Sequence, residues 1–402
     1  MSVQGHCDER FAAVREAFAE NFASRGEVGA SLCVRVAGET LVDLWGGSRD
    51  AAGEQPWQED TLSIVFSCTK AATALCSHIL ADRGELDLAA PVTSYWPEFG
   101  QNGKQDVTVL MLLNHSAGLP ALREPVKPGG YYDWDYMVAR LAAEEPFWEP
   151  GTRNGYHMIT FGWTVGEVVR RVSGRSLGTF FREEVAEPLG LDFWIGLPEE
   201  HEARVAPMIP WTPAPNETPM PFVQALLGDP KSIQFLSLLN SGGYNPDARE
   251  AHAAEIGGGG GISNARGLAG MYNPLAQGGE YGGVRLLSQD HITRMSQVSM
   301  ATLCDATLLA PTRFGLGFMR SMDNRHRPFG AMETGILGRE AFGHAGAGGS
   351  IGFADPECGL AFGYTMNKMG AGLLLNERGQ PLVDATYRAL GYRTDSPGVW
   401  VR

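Results

Sequence analysis

Runs with the alternation of β-strands occur at the two ends of this 402-residue chain and almost nowhere between them. Near the start, GASLCVRVAGETLVDLWGG (29–47) reads as two strands joined at Ala37-Gly38-Glu39. Near the end, strand-like runs recur at 312–320, 339–345, 349–354 and 359–366. Helical spacing of Phe11, Val14, Phe18 and Phe22 predicts a helix over roughly 8–24, and another closes the chain over about 380–391. The intervening stretch is helix and loop, with Pro/Gly-rich connections at 118–132 and 206–220. Strands that need partners are thus separated by most of the chain. The two ends must meet in one antiparallel sheet, with a helical insertion between them. The expected class is α+β: an α/β/α sandwich, with its sheet flanked by helices, plus an all-helical subdomain. The expected division is 1–88 with 296–402 for the sheet domain, and 89–295 for helices and loops that cover the site.

A net charge of −14 repels phosphate backbones and argues against nucleic-acid partners. The opening MSVQGHCDERF lacks the basic and apolar regions of a signal peptide, and no apolar run is membrane-length. A cytoplasmic, non-membrane protein is the expectation. The six scattered cysteines form no CxxC pair and read as reduced, buried thiols, and no ligand spacing calls for a metal or cofactor.

Two serines compete for a catalytic role. Gly348-Gly349-Ser350-Ile351-Gly352 spells the G-x-S-x-G of a nucleophile elbow. An elbow needs a helix after the serine, but IGFADPECGLAFGYTM reads as strand, turn and strand. The last of nine histidines is His344, so no base follows Ser350. Were 344 and 350 in one strand, they would lie about 20 Å apart. The second candidate is Ser67, in Phe66-Ser67-Cys68-Thr69-Lys70 at the head of a helix predicted over 67–83. A spacing of three puts Ser67 and Lys70 on one helical face, and the helix N-terminus favours a developing anion. A lysine desolvated there can lose its charge and take the serine proton. The plain alternative is an N-cap serine with a solvated lysine. The apolar flanks SIVF and AATAL, with only five lysines in the chain, favour the catalytic reading.

These residues resemble the serine β-lactamase and penicillin-binding-protein superfamily, closest to class C β-lactamases and family VIII carboxylesterases. FSCTK is similar to the nucleophile motif and GELDLAAPV to the segment leaving its helix. VTVLMLLNHSAGLP (107–120), the stretch EPGTRNGYHMITFGWTVGEVV and GGGGGISNARGLAGM (257–271) resemble the next three family motifs, in order. GHAGAGGSIGF with YTMNK resembles the K-T-G strand and its neighbour.

The resemblance implies Ser67 as nucleophile, with Lys70 and Tyr156 handling its proton. It implies an oxyanion hole from the backbone amides of Ser67 and Ala347, and places His344, Ala345, Gly346 and Asn367 beside the substrate. His157 is expected among the substrate-binding residues, as a packing or orienting neighbour rather than a catalyst. Met158 replaces a family asparagine and His344 replaces a family lysine, which weakens recognition of a β-lactam amide and carboxylate. The expected activity is hydrolysis of small, short-acyl carboxylic esters through an acyl-enzyme. The same site also admits β-lactam or amide hydrolysis or acyl transfer, and a non-catalytic binding scaffold is the remaining reading. Candidate walls for the acyl pocket are Tyr131-Tyr132-Asp133-Trp134 and the loop 206–235.

Overall fold

The computed structural model describes residues 3–213 and 218–402. Its main sheet has nine antiparallel strands. They are β1 (Val3–Cys7), β2 (Gly29–Val36), β3 (Glu39–Gly47), β4 (Met300–Thr302), β5 (Thr312–Phe314), β6 (Met319–Arg320), β7 (Phe342–Ala345), β8 (Ile351–Asp355) and β9 (Leu360–Met366). Their order across the sheet is β1-β3-β2-β9-β8-β7-β6-β5-β4. The ends of the chain meet at β2 and β9, where the Ser31 and Thr365 hydroxyls lie 2.9 Å apart across 334 residues of sequence.

Side chains on the two faces of this sheet differ in size. Along β9, Leu360, Phe362, Tyr364 and Met366 point to one side, where they join Phe11, Val14, Phe18, Leu382, Val383 and Tyr387. Those partners come largely from α1 (Ala12–Ser24) and α5 (Gly379–Ala389), which pack against each other. The alternate residues are small: Ala361 and Gly363 on β9, Gly352 and Ala354 on β8. Over them lies α4 (Ala265–Ala276), with Leu268 and Tyr272 in the core. Beside it runs α2 (Thr69–Asp82), packed on α3 (Thr160–Ser173). The result is the α/β/α sandwich, with the helical layer built around α2 and α3. Three two-residue strands, Ser63–Ile64, Ile262–Ser263 and Phe193–Trp194, form a small second sheet beside the entry to α2.

Three local readings change. The run 312–320 is two strands, β5 and β6, reversed by a tight turn in which Gly315 N–H donates to Phe318 O at 2.8 Å and Gly317 takes φ +82°. Residues 344 and 350 share no strand either. The chain turns back between β7 and β8, and His344 pairs with Gly352 across the hairpin. Strand β1 gave no alternation to read, because its middle residues are exposed, yet it pairs along β3 from Val3 to Cys7. Of the cysteines, Cys33, Cys68 and Cys76 are buried, while Cys304 is exposed and Cys7 and Cys358 are half-buried. Among the described residues no helix is long and apolar enough to cross a membrane.

Candidate active site

Ser67 lies in a single 3-10 turn, Phe66–Cys68, that leads into α2. Phe66 takes φ +43°, a left-handed conformation that costs a non-glycine residue on the order of 1 kcal/mol. No side chain caps this helix start, so the Ser67 hydroxyl is not consumed as an N-cap. The plain alternative for Ser67 and Lys70 therefore does not describe the structure.

Lys70 is fully buried. Its Nζ donates to Met158 O at 2.5 Å and Gly258 O at 2.6 Å, and the third neighbour is Ser67 Oγ at 3.2 Å. Burial drives its pKa well below the usual lysine range, and among the described residues no carboxylate stands by to hold the charge. A neutral amine has two N–H bonds and one lone pair. Two carbonyls accept the N–H bonds, which leaves the lone pair for Ser67. The glycine run 257–261 is what brings carbonyls this close. Thr73 Oγ1 donates to Gly257 O at 2.8 Å, and Gly261 N–H donates to Thr69 Oγ1 at 2.8 Å.

Tyr156 places its ring 4.7 Å from Lys70 Nζ. Burial pushes the phenol far above its ordinary range, an effect that the neighbouring Ser67 hydroxyl only partly offsets. The phenol therefore keeps its proton. His344 Nδ1 faces the Ala345 carbonyl at 2.8 Å and must carry a hydrogen, so the bare Nε2 accepts from Tyr156 Oη at 3.4 Å. Burial, then the Lys70 charge, pushes His344 down to about 3. It is neutral, so it carries none of the charge of the lysine it replaces in the family pattern.

The strand β7 lies against the Ser67 turn. Cys68 Sγ reaches His344 O at 3.2 Å, and a Cβ on Gly346 would stand 2.3 Å from Val65 O, so only glycine fits there. Among the described residues no hydrogen bond engages the amide of Ser67 or of Ala347. Both residues line a small cavity of about 80 Å³, walled by Tyr156, Met158, Leu308, Phe314, Met319 and Leu374.

The structure thus gathers Ser67, Lys70, Tyr156, His344, Ala345 and Ala347, with Gly346 behind them. Two expected residues stand elsewhere. The Asn367 amide accepts from Gly29 N–H and donates to Ser48 O and Arg49 O, which pins β9 to the ends of β2 and β3 outside the cavity. His157 Nδ1 donates to Gly155 O at 2.7 Å, while Nε2 accepts from Leu119 N–H at 2.9 Å. Both ring nitrogens are occupied by backbone, and burial pushes His157 down to about 3. It fastens the 107–120 stretch to the tyrosine segment rather than facing substrate.

The expected pocket walls also move. Tyr131 packs on Trp163, Trp134 donates to Glu167, and Asp133 caps a helix, all away from Ser67. In the loop 206–235, Gln234 holds the Ala306 and Thr307 carbonyls behind the cavity, and residues 214–217 lie outside the described residues. Ser350 is buried with an unpartnered hydroxyl inside the sheet hairpin.

Sequence reading missed Asp305. Its buried carboxylate accepts the Tyr156 N–H at 2.9 Å and those of Thr307 and Leu308, and so fixes the backbone that carries the phenol. Nothing in the run CDATLLAP signalled a contact made 149 residues away.

The Beta-lactamase family profile matches residues 14–383. The chain belongs to the Beta-lactamase family. It is a serine hydrolase of that family, and its esterase branch supplies close relatives. The Esterase/beta-lactamase LipL of Mycobacterium tuberculosis is 39% identical over 93% of this chain and 85% of its own length. A crystal structure of a family VIII carboxylesterase superposes with a TM-score of 0.85 at 39% identity, covering 97% of this chain and all (100%) of the other. A penicillin-binding-protein homolog from Caulobacter crescentus gives 0.84 at 38% identity, again over 97% and 100% of the two chains. Among the described residues no cluster of three or more His, Cys, Asp or Glu is placed to hold a metal ion.

Proposed function

We propose that this family member is a carboxylesterase that forms an acyl-enzyme on Ser67 and prefers short acyl groups. The observation that carries the reading is Lys70 Nζ, with two carbonyls on its N–H bonds and Ser67 Oγ at 3.2 Å. Ser67 Oγ forms a bond to the ester carbonyl carbon as its proton passes to the Lys70 lone pair. The carbonyl electrons move onto oxygen, where the amides of Ser67 and Ala347 stabilise the charge. Collapse of this intermediate expels the alcohol oxygen, and Tyr156 delivers its proton and recovers one from Lys70. A water then repeats the sequence on the acyl-enzyme and restores Ser67.

Tyr156 acts here as a proton donor and relay, since burial opposes a resting phenolate. The cavity of about 80 Å³ has room for a few carbons, which supports short acyl groups. Neutral His344 supplies no cation for a lactam carboxylate, which favours esters over β-lactams. The likeness to a family VIII carboxylesterase at 39% identity supports the same choice.

The test is hydrolysis of a p-nitrophenyl acyl series and of nitrocefin by wild type, Ser67→Ala and Ser350→Ala. Short esters are expected to turn over fastest, nitrocefin slowly, and Ser67→Ala not at all, with Ser350→Ala active. An active Ser67→Ala beside a dead Ser350→Ala would sink the assignment.

A further inference from the structure

The turn that presents the Ala347 amide is gripped from outside the cavity. Within it, Gly346 N–H donates to Ser350 O at 2.7 Å and Gly349 N–H to Gly346 O at 3.1 Å. The Gly348 carbonyl then accepts three more hydrogen bonds. They come from Asn376 Nδ2 at 2.9 Å, Arg378 Nη2 at 3.2 Å and Gly370 N–H at 3.0 Å. Three donors on one carbonyl oxygen exceed what closing a turn requires.

The gripping side chains are themselves fixed. Arg378 is 2% exposed, pairs with buried Glu27 at 2.7 Å and donates to Lys368 O at 2.7 Å. The other Glu27 oxygen accepts from Tyr364. Asn376 Oδ1 accepts from the N–H groups of Arg378 and Gly379 at 3.0 and 3.1 Å, so its NH2 can only face the turn. A Cβ on Gly349, at φ +123°, would stand 2.5 Å from that NH2. Gly348, at φ +87°, has no more room, since its Cβ would stand 2.6 Å from Met369 Sδ, so the motif opens on two glycines. Neither Asn376 nor Arg378 lines the cavity around Ser67.

We propose that Asn376 and Arg378 are positioning residues of the oxyanion hole. Through the Gly348 carbonyl they lock the turn that aims the Ala347 N–H at the reacting carbonyl oxygen. The proposal rests on the acyl-enzyme reading above.

Asn376→Asp is the sharpest variant. A carboxylate still accepts from the two helix N–H groups but cannot donate to Gly348 O. With p-nitrophenyl acetate, kcat is expected to fall about 10- to 100-fold, part of the loss seen when an oxyanion donor is deleted. KM should stay within about 3-fold, since the lost interaction belongs to the transition state. The inhibition constant of a boronic acid that forms a tetrahedral adduct on Ser67 should rise by the same factor as kcat falls. Relative to wild type at each pH, the variant should recover as its carboxyl protonates and becomes a donor. Melting temperature confirms the fold. If this variant does not fold, Arg378→Lys, which keeps a charge opposite Glu27 but loses the fork, reads the same contact.

Wild-type kcat and boronate affinity in the folded variant would overturn the proposal. So would a loss of kcat with unchanged boronate affinity and no recovery in acid. If wild type shows no Ser67-dependent turnover and no fluorophosphonate label on Ser67, the acyl-enzyme reading fails and this proposal falls with it. If turnover depends on Ser67 and the variant is unaffected, the positioning role alone fails.

Discussion

At the scale of the residue, the decisive pair is Lys70 and Tyr156, which burial drives in opposite directions. A lysine with a lowered pKa is protonated in acid and neutral above that value, so a lysine base gives an activity that rises with pH and then levels. The pH profile of kcat/KM should therefore show one rising limb that levels off below the ordinary lysine range. A bell centred on a histidine pKa would contradict it. Lys70→Arg keeps a charge but cannot act as a base at neutral pH, and is expected to lower kcat by at least about 100-fold, read by steady-state kinetics. Asp305→Asn should act less severely. It leaves an amide among four donors, loosens the Tyr156 backbone and should cut kcat several-fold with a measurable drop in melting temperature.

At the scale of the element, the cavity is a joint product of β5, β6, β7 and the Gly372–Leu374 segment. Leu374→Ala removes one wall and should shift the fastest p-nitrophenyl ester toward longer acyl chains, with about 2–4 kcal/mol lost from stability. A preference that stays at the shortest ester would place the acyl group elsewhere. On the face of the sheet that α4 covers, Gly363→Val would push a side chain into the Ala265 carbonyl, 2.3 Å from its Cβ, and lift α4 from the sheet. An overpacking loss of roughly 1–3 kcal/mol is expected in chemical unfolding.

Elements of this kind were readable from residue type and bounding turn residues, even though β9 and most of α2 are buried on every side. The hairpin of β2 and β3, β9 and the helix carrying Ser67 all announced themselves that way. What a single sequence hides is long-range assignment. Asn367 sits in a stretch similar to a family motif, yet three backbone groups from 29 and 48–49 occupy its amide. The cavity walls Leu308, Phe314 and Leu374 are ordinary core residues until the sheet brings them together. The turn at 315–318 broke a run that local composition presents as continuous, because only Gly317 betrays the reversal.

At the scale of the molecule, burial holds several histidines in the neutral form: His78, His157 and His344 are each pushed down to about 3, and His115 is pushed well below its ordinary value. Their ordinary value is 6.5, so the unfolded chain binds the protons first as pH falls. Each such group removes stability between about pH 6.5 and about 3, by roughly 1.4 kcal/mol per pH unit in that window. Chemical unfolding midpoints should fall steeply below about pH 6 and still rise from there to about pH 8, where the unfolded chain keeps the Lys70 proton that burial disfavours in the fold. A flat acid profile would mean these rings are solvated in the native state.

The seam between β2 and β9 has a further consequence, and it concerns time. The two strands are neighbours in space and nearly the full chain apart in sequence, so their pairing requires closing a very long loop before any contact repays it. During synthesis, Ser67 and Lys70 leave the ribosome long before the Ala347 turn and its grip at Asn376 exist. On the proposed mechanism, a nascent or truncated chain thus carries Ser67 without the Ala347 half of its oxyanion site. Full reactivity on that mechanism would wait until the last strands have docked.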